Sequence, residues 1–167
     1  MRYLWITGLL LLAAVTAFTG VGTLQVSSPA FGNKGAIPAK YSCEGEEVSP
    51  PINVSGIPAG ARSLALTMHD PYAPKKGGVT HWVVWNIDTG GAIPENFKGA
   101  SQGFNSDNKT GYKGMCPPSG THRYNFVVYA LDTNLQLPGN ATKAALESAI
   151  RGHILAQGEL TGLYSKR

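Results

Sequence analysis

Hydrophobic and polar positions alternate most clearly in three stretches of the chain. Ser63 to His69 (S-L-A-L-T-M-H) places Leu64, Leu66 and Met68 on one face, with Ser63, Ala65, Thr67 and His69 on the other, which predicts a strand. Asp70-Pro71 ends it, because proline donates nothing to a central ladder. Thr80 to Ile87 (T-H-W-V-V-W-N-I) and His122 to Leu131 (H-R-Y-N-F-V-V-Y-A-L) are rich in β-branched and aromatic residues and predict two more. Ile52 to Ser55 and Leu160 to Tyr164 predict shorter extended pieces. The period changes once, after Thr142. This residue can cap a helix over Lys143 to Gln157, with Leu146, Ala149, Ile150, His153 and Ile154 on one stripe and Gly158 as the stop. Asp88 to Gly120 is a long, glycine-rich polar excursion, and loops of that length in compact domains tend to be functional. Several strands, a long loop and a late helix predict an α+β fold, mainly β, on antiparallel sheet.

The N-terminus has a different pattern. One charge, Arg2, precedes an apolar run from Tyr3 to Val21, with small residues at its exit. This order reads as a secretory signal peptide, and the run nearly reaches the roughly 20 residues of an uncleaved membrane anchor. Residues 1–22 are therefore read as signal or anchor and 23–167 as one domain, periplasmic or secreted, or else tethered to a membrane. Composition agrees: 43% hydrophobic and 14% charged residues, with 21 Gly and 11 Pro in 167, exclude a disordered acidic chain and a coiled coil. The net charge of +4 is not gathered into any basic block, so nucleic acid is not an expected partner, whereas small anions are compatible ligands. The two cysteines, Cys43 and Cys116, can pair in an oxidising compartment, which would stabilise the fold by about 4 kcal/mol; the alternative is two buried thiols.

Polar residues fall at strand ends. Asp70 closes the first strand, His81 lies near the start of the second, and His122 opens the third with Tyr124 on the same face. Strand ends joined by Pro- and Gly-rich loops make natural pocket walls. The run Gly111 to Tyr124, which leads into that third strand, has glycines whose backbone N–H groups can cradle an anion and prolines that stiffen the loop. His69 and His153 are assigned to structure, and Trp82 and Trp85 to packing on alternate faces.

Three ordered segments carry a resemblance: Asp70-Pro71-Tyr72-Ala73-Pro74, His81-Trp82-Val83-Val84-Trp85-Asn86-Ile87 and Cys116-Pro117-Pro118-Ser119-Gly120-Thr121-His122-Arg123-Tyr124. With Tyr41-Ser42-Cys43-Glu44-Gly45 and Tyr129-Ala130-Leu131-Asp132, they resemble the phosphatidylethanolamine-binding protein family, in particular its bacterial and archaeal Raf-kinase-inhibitor-like branch, from about Phe31 to Tyr164. The resemblance implies an antiparallel β-sandwich-like core with a C-terminal helix and a small surface cavity for phosphate-like anions or phospholipid head groups. It places Asp70, His81, His122 and Tyr124 in the cavity and Pro117 and Gly120 at its rim. A homodimer is similar to what bacterial relatives form. Two positions depart from the family pattern: Tyr72 stands where an Asp is usual, removing a carboxylate, and Met115 where a Pro is usual, softening the loop.

The expectation is a non-enzymatic extracytoplasmic binding protein without cofactor, with a small pocket for phosphate-bearing ligands or phospholipid head groups and a capacity to modulate a protein partner. Two readings compete with it: a protease or signalling inhibitor acting through protein contact, and a metal-dependent hydrolase using Asp70, His81 and His122. The spacing of those three residues is not a metal motif.

Overall fold

The computed structural model describes residues 20–167, so the segment read as signal or anchor lies, except for its last three residues, outside the described residues. No helix among the described residues is long and apolar enough to cross a membrane. The strands among the described residues are β1 (Gly22–Thr23), β2 (Gln25–Ser27), β3 (Gly35–Ala36), β4 (Ile52–Ser55), β5 (Ser63–Asp70), β6 (Val79–Ile87), β7 (Ala92–Ile93), β8 (Ser101–Gln102), β9 (His122–Leu131) and β10 (Ile154–Tyr164), with one α-helix, α1 (Lys143–Ala149), before β10 and a short 3-10 turn at Ala39–Tyr41. A seven-stranded sheet runs β1-β10-β9-β5-β6-β8, with β3 also on β10, and a three-stranded sheet runs β2-β4-β7. The long central pairs are antiparallel, while β1 and β3 join β10 in parallel. The fold is mostly β, mixed at that edge, with one short helix.

The alternation seen in sequence becomes two cores on the two faces of the large sheet. Leu64, Leu66, Met68, Trp82, Phe126 and Val128 face the small sheet and pack with Ile52 and Ile93. Ala65, Val83, Trp85 and Leu131 face the other way, under Leu146 and Ile150 of the helical segment. Strands β5 and β6 are therefore buried on both faces along most of their length, including polar positions such as Ser63 and Thr67. Trp82 and Trp85 are each at most 1% exposed, one in each core.

Two expectations need correction. The helix is seven residues long and does not reach Gln157. Thr142 caps it as expected, its side chain accepting from the Ala145 N–H, but the chain turns at Gly152, where φ is +81°, and leaves in the extended direction. His153 thus sits in the turn, Ile154 opens β10, and Gly158 lies within that strand opposite Val128. The reason is tertiary. Pairing with β9 satisfies the backbone along β10 that about two further helical turns would have satisfied within the helix, and it also lets Leu160 enter the main core. The excursion after β6 is also less free than its composition suggests, since it contributes β7, β8 and a bridge between Phe104 and Thr110.

Candidate functional site

Four predicted residues arrive at one end of the large sheet by different routes. Asp70 continues the parity of Leu64, Leu66 and Met68 past the end of the core, and His122 and Tyr124 continue that of Phe126 and Val128. His81 does not follow parity, which would put it with Val83 on the opposite face. Between the pairs Met68–Trp82 and His69–Thr80, β6 carries one extra residue, and that residue is His81. This β-bulge re-aims the imidazole toward the side on which Asp70 lies, as bulges beside functional sites often do.

Together these side chains line a cavity of about 210 Å³, completed by Val79, Pro74 and the loop through Cys116, Pro117 and Pro118. Asp70 is 2% exposed, and both of its oxygens are engaged. Oδ2 lies 2.6 Å from His122 Nδ1, and Oδ1 accepts from the Tyr72 N–H at 2.9 Å. A carboxylate at that distance holds a proton on His122 Nδ1 and leaves Nε2 as the ring's free nitrogen. His81 is clasped differently. Its Nδ1–H donates to the Lys113 carbonyl at 2.9 Å, while the Lys113 N–H donates to the His81 carbonyl at 2.8 Å. Burial pushes the His81 pKa below the ordinary imidazole value, so the ring is neutral at pH 7. Its edge meets the Tyr124 ring at 5.2 Å and 79°. Burial, with the Asp70 carboxylate next in importance, raises the Tyr124 phenol well above its usual pKa and keeps it protonated.

The wall opposite the strands is pinned to a distant turn. Cys43 and Cys116 form a disulfide across 73 residues, with Cα atoms 5.5 Å apart. The Cys43 N–H donates to the Met115 carbonyl at 3.1 Å, and the Gly114 N–H to Glu47 Oε1 at 3.1 Å. Behind this turn, Ser42 Oγ donates to Tyr164 Oη at 2.7 Å and Tyr164 donates in turn to Glu44, tying the end of β10 to the same place.

Several site expectations change on this geometry. Gly120 is exposed at φ +69° and is not among the cavity's lining residues, unlike Pro117. The loop N–H groups expected to cradle an anion are partly spent, since those of Gly111, Lys113 and Gly114 all have protein acceptors. Met115 does not soften the loop; it is fully buried in the main core and bridges to Ser42. Tyr72 is 63% exposed and lines a separate groove with Arg123, whose guanidinium lies 5.4 Å over its ring. Position 72 therefore changes the surface beside the cavity and not its wall. Two lining residues, Lys75 and Lys113, were not singled out by sequence; their place at the rim depends on how the connecting loops fold back, for which the motifs carry no signal. Among the described residues, no group of three His, Cys, Asp or Glu is arranged to hold a metal ion.

The comparisons with known proteins agree with this fold. The family model for phosphatidylethanolamine-binding protein matches residues 27–165. A UPF0098 protein of Archaeoglobus fulgidus is 47% identical over 152 residues, 86% of this chain, and the match spans about half of that relative (52%). One from Methanothermobacter thermautotrophicus is 44% identical over 86% of this chain and 99% of its own length. Among solved structures, the phosphatidylethanolamine-binding protein homologue CT736 of Chlamydia trachomatis superposes with a TM-score of 0.83 at 39% identity, covering 87% of this chain and 99% of that one. Escherichia coli YbcL, described as a new member of the mammalian family, superposes at 0.80 and 30% identity, covering 87% of this chain and all of that one. With a matched model over nearly the whole described domain and relatives above two-fifths identity, the chain belongs to the phosphatidylethanolamine-binding protein family.

Proposed function

We propose that this chain is an extracytoplasmic binding protein that performs no chemistry on its ligand and whose cavity takes a phosphate-bearing group, free or at the end of a lipid head group. One observation carries the reading: Asp70, His81, His122 and Tyr124, from three strands, converge on one cavity of about 210 Å³, small enough to favour a compact tetrahedral anion over a large substrate. The Tyr124 hydroxyl is a protonated donor, and His122, oriented by Asp70, presents its second ring nitrogen. A hydrogen bond between His122 Nε2 and a phosphate oxygen is charge-assisted because the ligand is an anion, and is roughly twice as strong as a neutral one. His81 serves as a wall and as the clasp that fixes Lys113. Its buried neutral ring does not supply the positive charge. The apolar N-terminal run supports the extracytoplasmic placement, as does a disulfide in the cavity wall, which an oxidising compartment preserves.

The test is a titration with inorganic phosphate, followed by the ring signals of His122 and His153. The expected result is a saturable shift of His122, with His153 unmoved. Equal, non-saturating drift of both rings would refute the site. Phosphoethanolamine and glycerophosphate as competitors then separate a lipid head group from free phosphate.

A further inference from the structure

The charges lining the cavity leave an incoming anion poorly balanced. Asp70 places a buried carboxylate in the wall. His122 is its direct partner, so any positive charge on that ring is already opposed at 2.6 Å. His81 is neutral, and its Nδ1–H is committed to a carbonyl. Lys113 reaches the rim, but its ammonium lies 2.6 Å from Asp107 Oδ2.

Lys75 differs from all of these. It lines the cavity, yet among the described residues no carboxylate lies within ion-pair distance of its ammonium. Its one hydrogen bond is to the Ser106 carbonyl, 3.3 Å away on the exposed surface. The backbone beneath it is held firmly. The Gly78 N–H donates to the Lys75 carbonyl at 2.8 Å, in a turn that needs glycine at 77 and 78, where φ is +82° and +76°. The Cα is thus fixed while the side chain is restrained only by a long bond to a neutral acceptor.

The hairpin between β5 and β6 also separates two hollows. Asp70, Val79 and His81 face the cavity, while His69 and Thr80 face a second hollow of about 370 Å³ that includes Ser106. Lys75, at the hairpin tip, lines both. Its flexible four-carbon stem lets one ammonium serve either side.

We propose that Lys75 is an anion-binding residue of the cavity, its ammonium leaving the Ser106 carbonyl to pair with the phosphate group beside His122. The inference rests on the phosphate reading above and adds where the ligand's negative charge is balanced. The exchange replaces a weak bond to a neutral oxygen with a charge-assisted one to an anion. It also makes binding depend on ionic strength, since Lys75 meets the ligand at a solvent-facing rim.

Calorimetric titration of inorganic phosphate into the full domain at low ionic strength tests this with three variants. Lys75→Met is expected to weaken phosphate binding about tenfold, the scale of one hydrogen bond to a charged group, and Lys75→Arg to restore it to within about threefold. Lys40→Met, which removes a lysine paired with Glu95 away from the cavity, is expected to change it less than about threefold. Thermal unfolding checks that each variant folds, as an exposed loop side chain allows. If wild type binds phosphate and Lys75→Met binds it equally well, or Lys75→Arg fails to rescue, the role of Lys75 is overturned while the cavity reading stands. If wild type shows no saturable binding, both fall together.

Discussion

Two Asp–His pairs stand at opposite ends of the large sheet, and their contrast shows what makes one of them a site. Asp70 and His122 meet at 2.6 Å with side chains 3% and 12% exposed; Asp132 and His153 meet at 2.8 Å with side chains 45% and 46% exposed. The residue types and distances are nearly the same. The first pair closes one wall of a cavity, its second carboxylate oxygen is held by the Tyr72 N–H, and water is largely excluded. The second pair fastens the turn between α1 and β10 to the end of β9, where water competes for every bond. An exposed ion pair contributes little, whereas removing one partner of a buried pair strands the other without compensation. Burial, not pairing, gives Asp70 and His122 their chemical potential.

The disulfide offers the largest break in this comparison. It encloses the buried pair's wall and touches nothing near the exposed pair. Replacing Cys43 and Cys116 with Ser is expected to lower stability by about 4 kcal/mol, read by denaturant unfolding. In the folded fraction the His122 ring signals should shift while those of His153 stay in place. A change of less than about 1 kcal/mol would mean that the loop's other pins, at Gly114 and Met115, hold it unaided.

Next in size is the direct test of the pairs. Asp70→Ala is expected to cost about 3 kcal/mol and to abolish phosphate binding, because it leaves His122 Nδ1 and the Tyr72 N–H without their acceptor. Asp132→Ala should cost less than about 1 kcal/mol and leave binding unchanged. Equal costs for the two variants would remove the burial argument.

The smallest effect is a pH dependence beside the buried pair. Burial lowers the pKa of His81, and likewise of half-buried His69, so on acidification the unfolded chain takes up these protons before the folded one does. Stability contributed this way is complete above the ordinary imidazole value of about 6.5 and is lost as pH falls below it. The shifted carboxylates Glu44, Glu95 and Asp107 are all lowered from ordinary values of 4.5, 4.5 and 3.8, so they stay charged in thermal unfolding between pH 6.5 and about 5.5. His81→Asn should flatten the melting-temperature slope in that window. An unchanged slope would mean that the buried ring does not contribute.

Much of this was legible from residue order. β4 and β9 have the bounds that alternation predicts, and β5 and β6 each differ by one residue. The shared parity of His122 and Tyr124 followed from the period of two. Three features were not legible. The helix boundary depended on β10 winning its pairing with β9 over local helical preference. The Gly111–Gly120 loop read as an open cradle because its partners, Glu47, Cys43 and His81, lie far off in sequence. Gly120 shared a motif with Pro117 and yet stands outside the cavity.

What the chain's order determined by itself was local: strand periodicity, the cap at Thr142, the break at Asp70-Pro71, and the polar residues set at strand ends. These depend on sterics and burial within a few residues of one another. The tertiary structure alone decided which imidazole Asp70 takes, that a one-residue bulge turns His81 toward the cavity, and that Lys75 remains without a carboxylate while Lys113 is paired. Each of those depends on register and loop return between segments remote in sequence, where a shift of a single residue sends a side chain to the opposite face of the sheet.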